Sequence, residues 1–226
     1  MTRQFILIFI QSLIFIQSLI FIPLFGQSNN AKIYIINGSF EGTPRCCTPP
    51  DGWIDCGFRS ETPPDIQPIQ PPLEPLYGVT KKAYDGKTYL GMVVRDNESN
   101  ERINQKLSEQ LLAGKCYSFS IYMTRSMEYV SPTMTGAHNL IPFTTPALLQ
   151  IWGGDGYCHQ KELLATSQLV ENIEWQRYDF VFMPKSDISY LQLEAYYNPS
   201  SPFPYNGNIL LDKASDIILV PCKTDK

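Results

Sequence analysis

The stretch YNGNILLDKASDIILV, Tyr205 to Val220, contains two short apolar runs with an acidic break at Asp212 between them. Branched aliphatic residues dominate both runs, and Gly, Asn, Lys and Ser lie at their borders. Runs of this length and composition, bounded by turn residues, predict β-strands. The stretch therefore predicts two consecutive strands near the end of the chain, with a carboxylate at the point where the first strand ends.

Runs of the same kind recur along the chain. They are AKIYIING at 31–38, KTYLGMVVR at 87–95, CYSFSIYMT at 116–124, ALLQIW at 147–152, WQRYDFVFM at 175–183 and YLQLEAYY at 190–197. Many short strands separated by turn residues are typical of a sandwich or a barrel. Only Glu98 to Leu112 is compatible with a helical turn, which Gly114 would end. We predict an all-β fold, an antiparallel β-sandwich of the jelly-roll type.

The N-terminal residues indicate export. Arg3 is the only charged residue in 1–26, and 5–25 are almost wholly apolar. A basic start, an apolar segment and a small residue predict a signal peptide over 1–26, cut near Gly26 and Gln27. The domain over 27–226 would then be a single β-sandwich, secreted or on the cell surface. About 20 apolar residues also suffice to cross a bilayer, so an uncleaved membrane anchor is the alternative.

Charge and cysteine content narrow the partners and the compartment. The formal net charge is −4 and the sequence contains no basic run, which argues against nucleic acid as a partner. Six cysteines in an exported chain predict disulfides. We expect one local bridge within the loop 46–56, with Cys47 and Cys56 as candidates, and a second bridge between Cys116 and Cys158.

Proline is concentrated in one segment. Nine of the 18 prolines lie between Pro44 and Pro75. Proline donates no backbone hydrogen bond, so this composition is incompatible with a regular sheet ladder or a helix interior. Because Trp53 and three cysteines also lie in this segment, we expect 43–76 to form an ordered loop packed on a sheet. A linker is the alternative.

Several segments together resemble carbohydrate-binding modules with a galactose-binding-like jelly roll, of the family 4, 9 and 22 type. The matching segments are NGSFEG at 37–42 with GW at 52–53, DGKTYLGM at 85–92, INQKLSEQLLAGKCYSFSIYM at 103–123, WQRYDFVFMP at 175–184 and NGNILLDKASDIIL at 206–219. They occur in the family's order. The stretches GW, TPPDIQP, IWGG and EAYY are similar to modules of unknown ligand in exported proteins of environmental bacteria.

The resemblance implies a structural calcium ion between the first and last strands. The family's glutamate after the aromatic of the N-G-x-F-E pattern corresponds to Glu41, and its aspartate before the last strand corresponds to Asp212. An oxygen near Asp85 would complete the shell, since calcium prefers carboxylate and carbonyl ligands. The alternative is that these residues lie in exposed turns, with Asp212 accepting local backbone N–H groups.

Alternation of side chains along each predicted strand separates an apolar set from a polar and aromatic set. Members of the second set are flat aromatics, amides, one carboxylate and one guanidinium, which suit the faces and hydroxyls of a sugar. The candidate ligand-binding residues are Arg95, Tyr122, Gln150, Trp152, Gln192, Glu194 and Tyr196. A solvated face, or a face covered by the proline-rich loop, is the alternative.

The sequence contains no recognisable catalytic motif. A glycosidase needs two facing carboxylates, and Glu194 with Asp155 is the only pair that the pattern offers. We therefore expect a non-catalytic exported module that binds a polysaccharide or glycoconjugate. The alternative is a structural or adhesive cell-surface module that recognises a protein.

Overall fold

A computed structural model of the 226-residue chain describes residues 32–68, 74–133 and 136–222. The predicted signal peptide and its cleavage point lie outside the described residues. Within the described ranges, no helix is long and apolar enough to cross a membrane.

The described residues form fifteen β-strands and one 3₁₀ turn, η1 (Leu76–Gly78). The strands are β1 (Lys32–Ile33), β2 (Ile54–Asp55), β3 (Asp65–Gln67), β4 (Tyr89–Val94), β5 (Arg102–Leu111), β6 (Cys116–Thr124), β7 (Val130–Thr133), β8 (Gly136–Pro142), β9 (Thr145–Pro146), β10 (Leu148–Gly154), β11 (Glu162–Thr166), β12 (Gln176–Phe182), β13 (Ile188–Tyr196), β14 (Gly207–Asp212) and β15 (Ile217–Val220).

Two sheets pack face to face, which confirms the predicted all-β sandwich. The larger sheet has the order β1-β15-β6-β14-β4-β3, with β12 on the other side of β6 and β9 beside β14. The smaller sheet has the order β11-β10-β13-β5-β2. Their inner faces form one apolar core that includes Met92, Phe119, Ile151 and Leu193. The predicted apolar sets of β4, β6, β10 and β13 all face this core.

The segment read as compatible with a helical turn is a strand. In β5, Ile103, Leu107 and Leu111 are buried in the core. A spacing of four residues places side chains on one face of a helix and also on one face of a strand, so this pattern does not separate the two. Pairing with β13 and β2 decides in favour of the strand.

Part of the outer face of the larger sheet is covered by a second apolar cluster. Tyr89 and Val93 of β4 pack there with Tyr129, Phe143 and Val79. Tyr77 of η1 stacks on Tyr129, with ring centroids 5.8 Å apart. Side chains of β4 therefore alternate between the main core and the second apolar cluster, so both faces of the strand are buried.

The described part of the proline-rich segment is ordered along both sheets. It contributes β2 to the smaller sheet and β3 to the larger one, so the expectation that it holds no ladder is wrong for these five residues. Trp53, immediately before β2, is buried in the main core and contacts Phe40. Residues 69–73 lie outside the described ranges.

The disulfides are Cys56–Cys158 and Cys116–Cys222, so both predicted pairings are wrong. β2 carries Cys56 to the smaller sheet, away from Cys47, which forms no disulfide. Cys116 lies opposite Val220 in the β6–β15 pair, which brings Cys222 within reach. Disulfides form in oxidising compartments, which fits the expected secreted or cell-surface location.

Arg95 lies in a buried ionic network and not on a ligand-binding face. Its Nη2 is 2.5 Å from Glu101 Oε1, and its Nε is 3.3 Å from Glu61 Oε2. Asp65 lies nearby and accepts a hydrogen bond of 2.6 Å from the Tyr129 hydroxyl. The proline-rich segment supplies Glu61 and Asp65, so this network fastens that segment to β4 and β5.

Burial acts on two carboxyl groups of this network. It raises the pKa of Asp65 from 3.8 to about 6 and that of Glu101 from 4.5 to about 8. Between the unfolded and the folded values, the folded chain binds more protons than the unfolded chain, so the stability falls as the pH rises.

We predict that the free energy of unfolding is lower at pH 8 than at pH 5, by an amount on the order of 2 kcal/mol. Urea unfolding followed by tryptophan fluorescence measures this difference. The Glu101→Gln variant keeps the shape of the side chain and removes its titration, so its pH profile should be flatter. A stability that rises between pH 5 and pH 8 would contradict the prediction.

Candidate functional site

Five of the seven predicted ligand-binding residues lie on the outer face of the smaller sheet. Gln150 of β10 is directly opposite Glu194 of β13, and Trp152 is directly opposite Gln192. Directly opposite residues of an antiparallel pair project from the same face. Tyr196 follows Glu194 on that face, because it lies two residues further along β13.

Four of these residues, Gln150, Trp152, Glu194 and Tyr196, border a cleft of about 640 Å³, whereas Gln192 is buried beside it. Its aromatic and apolar walls are formed by Phe58, Trp152, Leu163, Tyr196, Tyr197 and Pro204. Its polar lining consists of Glu98, Asn100, Arg102, Gln150, Gln160 and Glu194. The cleft therefore combines partly exposed aromatic rings with amides, carboxylates and one guanidinium.

Glu194 is the centre of the polar lining. It is buried, and its Oε1 accepts a hydrogen bond of 3.0 Å from Asn100 Nδ2. Gln160 Nε2 donates to its other oxygen, and Arg102 Nε lies 3.7 Å from Oε1. Two amide donors and one ion pair, from three segments, thus fix the carboxylate before any ligand arrives, which lowers the cost of ordering the site on binding.

Beside Glu194, a row of polar groups is buried without partners. Asn104 of β5 lies opposite Gln192, which lies opposite Trp152. Within the described residues, both amide atoms of Asn104 and of Gln192 and the indole nitrogen of Trp152 have no hydrogen-bond partner. Buried polar groups in proteins are nearly always paired, so this row is suited to buried water molecules.

The other two predicted residues lie elsewhere. Tyr122 is on β6 of the larger sheet, where its ring stacks on Tyr84 with centroids 3.7 Å apart. Arg95 is in the buried network described above. Alternation assigned each side chain to one face of its own strand, but it did not determine which sheet the strand belongs to.

Sequence reasoning missed Phe58, Asn100, Arg102 and Gln160. Arg102 would have been found if β5 had been read as a strand, since alternation places it opposite the apolar set of Ile103 and Leu107. Phe58 and Gln160 lie in loops, where no periodicity indicates direction. Only the folded chain brings these two beside Glu194.

The carboxylates of the predicted calcium site each accept hydrogen bonds. Asp212 is buried at the end of β14 and accepts from the backbone N–H groups of Tyr84 at 2.8 Å, Asp85 at 2.9 Å and Lys213 at 2.7 Å. Glu41 accepts from the backbone of Lys87 at 2.8 Å. Both residues thus fasten the turn 84–88, and burial raises the pKa of Asp212 to about 6.

The third residue of the predicted site, Asp85, also bonds within the protein. Asp85 accepts from the Ser39 hydroxyl at 2.6 Å, and the Lys213 ammonium lies 3.3 Å from its other oxygen. Among the described residues, no three His, Cys, Asp or Glu side chains gather around a point where a metal ion would sit. The structure gives Glu41, Asp85 and Asp212 a hydrogen-bonding role, and the calcium ion stays a prediction.

No family model matches the chain, and no curated protein matches it either. Among solved structures, it is similar to the first xylan-binding CBM22 domain of Paenibacillus barcinonensis Xyn10C, with 18% identity, 82% of this chain and 94% of that chain covered, and a TM-score of 0.46. It is also similar to a CBM4 module, with 14% identity, 83% and 100% coverage and a TM-score of 0.41.

A third similar structure is the K2 cleaved adhesin domain of Lys-gingipain. It shares 9% identity, 86% of this chain and 99% of that chain are covered, and the TM-score is 0.49. The solved structures that the chain is similar to thus include carbohydrate-binding modules and an adhesin domain. This likeness concerns the fold alone.

We predict that Asp212→Ala lowers the free energy of unfolding by about 2–4 kcal/mol, because three backbone N–H donors lose their buried acceptor. Chemical denaturation measures the loss. Asp179→Ala is the matched control, since Asp179 is an exposed aspartate of the same sheet paired with Arg177. A loss at Asp212 no larger than that at Asp179 would show that these hydrogen bonds contribute little.

The same proteins decide whether calcium binds. Thermal unfolding of the chain 27–226 is measured in calcium and in chelator. If calcium braces the sandwich, chelation lowers the wild-type midpoint, because a ligand of the folded state stabilises it by mass action. An unchanged midpoint would leave the hydrogen bonds to the turn 84–88 as the whole role of these carboxylates.

Proposed function

We propose that the chain is an exported, non-catalytic module that binds a glycan in the cleft on the outer face of the smaller sheet. The observation that carries this proposal is the arrangement of Trp152 and Tyr196 around the polar pair of Gln150 and Glu194. The proposal thus keeps four of the residues expected from the sequence and adds Arg102, Asn100 and Gln160.

The spacing of the aromatic rings suits a chain of several sugar units. Trp152 and Tyr196 flank the Gln150–Glu194 pair, each one alternation step away from it. With a rise of about 3.4 Å per residue, their rows lie about 13 Å apart along the strands. Aromatic rings at this distance can pack on the C–H faces of separate sugar rings, while the planar polar groups between them bind the hydroxyls.

The polar groups of the cleft favour hydroxyls over an apolar partner. Glu194, Asn100 and Gln160 are held together in a buried network, and the indole N–H of Trp152 has no partner within the described residues. Covering this lining with an apolar surface would leave its solvated polar atoms unpaired at a cost of about 1–3 kcal/mol each. The hydroxyl groups of a glycan can both donate hydrogen bonds to these polar atoms and accept hydrogen bonds from them.

The pair considered for hydrolysis does not meet in the cleft. Asp155 bonds to His159 and Lys161 in the β10–β11 loop and is not among the residues that line the cleft. Glu194 already accepts two hydrogen bonds from neighbouring amides. We therefore propose binding without turnover, which an assay for released reducing sugar on each bound glycan checks.

We predict that Trp152→Ala weakens glycan binding at least tenfold, or about 1.4 kcal/mol, because it removes one aromatic wall. Isothermal titration is performed with hexasaccharides of β-linked xylose, glucose and mannose. Tyr122→Ala is the matched control, since Tyr122 is also a half-buried aromatic but lies on the other sheet. Its affinity should equal that of the wild type.

Two outcomes would overturn the proposal. In the first, Trp152→Ala and the wild type bind equally, which would move the site away from the cleft. In the second, no glycan binds and a purified protein partner is captured that free sugars do not displace. That result would favour the adhesive, protein-binding alternative.

We further predict that the cleft prefers neutral glycans to acidic ones. Its charged lining consists of Glu98, Glu194 and Arg102, so it carries more negative than positive charge. Oligogalacturonate should bind at least fivefold more weakly than the neutral hexasaccharides at low salt, where repulsion is least screened. Glu98→Gln, which removes one exposed charge, should narrow the difference. Equal affinity for both classes would contradict the prediction.

A further inference from the structure

The Cys56–Cys158 disulfide joins two loops that start from distant strands of the smaller sheet. Cys56 directly follows β2, and Cys158 lies between β10 and β11. β5 and β13 separate β2 from β10, so the two strands lie about 14 Å apart at a spacing of about 4.8 Å. The Cα atoms of the two cysteines are only 5.3 Å apart. At least one loop must therefore extend toward the other.

The β10–β11 loop folds back along the sheet. β10 ends at Gly154, whose partner in β13 is Tyr190. Gln160 nevertheless donates a hydrogen bond to Glu194, four residues further along β13. Four residues of strand span about 13 Å, so the loop returns over the outer face instead of leading away from the sheet. Tyr157 packs edge-on against Tyr190, with centroids 4.7 Å apart, at the start of this path.

The residues beneath this path are buried from solvent. Asn104 and Gln192 lie on the outer face between the two bridged loops, and their exposures are 0% and 1%. Outer-face polar residues of a sandwich are normally solvated, so the two loops form a cover here. We refer to residues 56–58 and 155–160, joined by the disulfide, as the strap.

Two residues of the strap reach the cleft itself. Phe58 lies two positions after Cys56, and the Arg102 guanidinium lies 4.8 Å from its ring centroid. Gln160 lies two positions after Cys158 and binds Glu194. The disulfide therefore fixes one aromatic wall and one polar donor of the cleft at the same time.

We propose that the Cys56–Cys158 disulfide positions Phe58 and Gln160 as ligand contacts, and that reduction of this bond alone releases the strap and abolishes tight binding. Reduction by a dithiol adds two electrons and two protons to the bridge, which becomes two thiols while the dithiol becomes a cyclic disulfide. The part that concerns the ligand rests on the proposed function of the cleft. The part that concerns the strap does not.

The second disulfide provides a matched control. Cys116–Cys222 fastens the C-terminal end to β6 of the larger sheet, away from the cleft. We expect Cys116→Ala/Cys222→Ala to bind the hexasaccharides as the wild type does, and Cys56→Ala/Cys158→Ala to bind at least tenfold more weakly. Dithiothreitol added to Cys116→Ala/Cys222→Ala should produce the same tenfold loss. A folded Cys56→Ala/Cys158→Ala protein with wild-type affinity would overturn the proposal.

Single variants test the contacts with the bridge intact. Phe58→Ala and Gln160→Ala should each weaken binding at least fivefold. Gln168→Ala should leave binding unchanged, because Gln168 is an exposed glutamine outside both the strap and the cleft lining. These variants decide the question if the protein without the Cys56–Cys158 bridge fails to fold. Wild-type affinity in both Phe58→Ala and Gln160→Ala would overturn the assignment of the contacts.

Hydrogen exchange of residues 155–161 tests the strap without any glycan. Exchange should be at least tenfold faster in Cys56→Ala/Cys158→Ala than in Cys116→Ala/Cys222→Ala. If no hexasaccharide binds the wild type but this difference is found, the proposed function fails and the strap stands. If exchange is equal in the two variants, the strap is overturned even where glycans bind.

Discussion

The cleft depends on one constraint, the register in which β13 pairs with β10 on one side and with β5 on the other. This register places Gln150, Glu194 and Arg102 in one row and Trp152, Gln192 and Asn104 in the next. A shift by one residue in any of the three strands would turn its polar residues toward the core and its apolar residues toward solvent. The buried set of Leu149, Ile151, Leu191 and Leu193 prevents such a shift, so the apolar core fixes the geometry of the polar face.

The loops complete what the register begins. The smaller sheet provides a flat row of rings and amides, and Phe58, Gln160 and Pro204 line the sides of the cleft above it. Because Phe58 and Gln160 come from loops tied by a disulfide, they gain a fixed position that loops on a sheet edge seldom have. Asn100 and Gln160 donate hydrogen bonds to Glu194, so they connect the segments around the cleft to β13.

The larger sheet anchors the long loops of the chain. Its outer face is covered by the cluster around Tyr89 and Tyr129, and the network of Arg95, Glu61 and Glu101 fastens the proline-rich segment beside it. At its other end, Asp212 holds the turn 84–88 through backbone N–H groups. The carboxylate between the two last apolar runs thus joins distant parts of the chain.

The sequence by itself determined the all-β class, the buried faces of β4, β6, β10 and β13, and four of the outer-face residues that border the cleft. These follow from the two-residue period of a strand, which a single chain segment carries in its own pattern. The tertiary structure alone decided which strands are neighbours, and so separated Tyr122 and Arg95 from Trp152 and brought Arg102 to Glu194. It also decided the pairing of Cys56 with Cys158, 102 residues away. Local pattern specifies the direction of a side chain relative to its own strand, whereas neighbours across a sheet are set by the packing of the whole core.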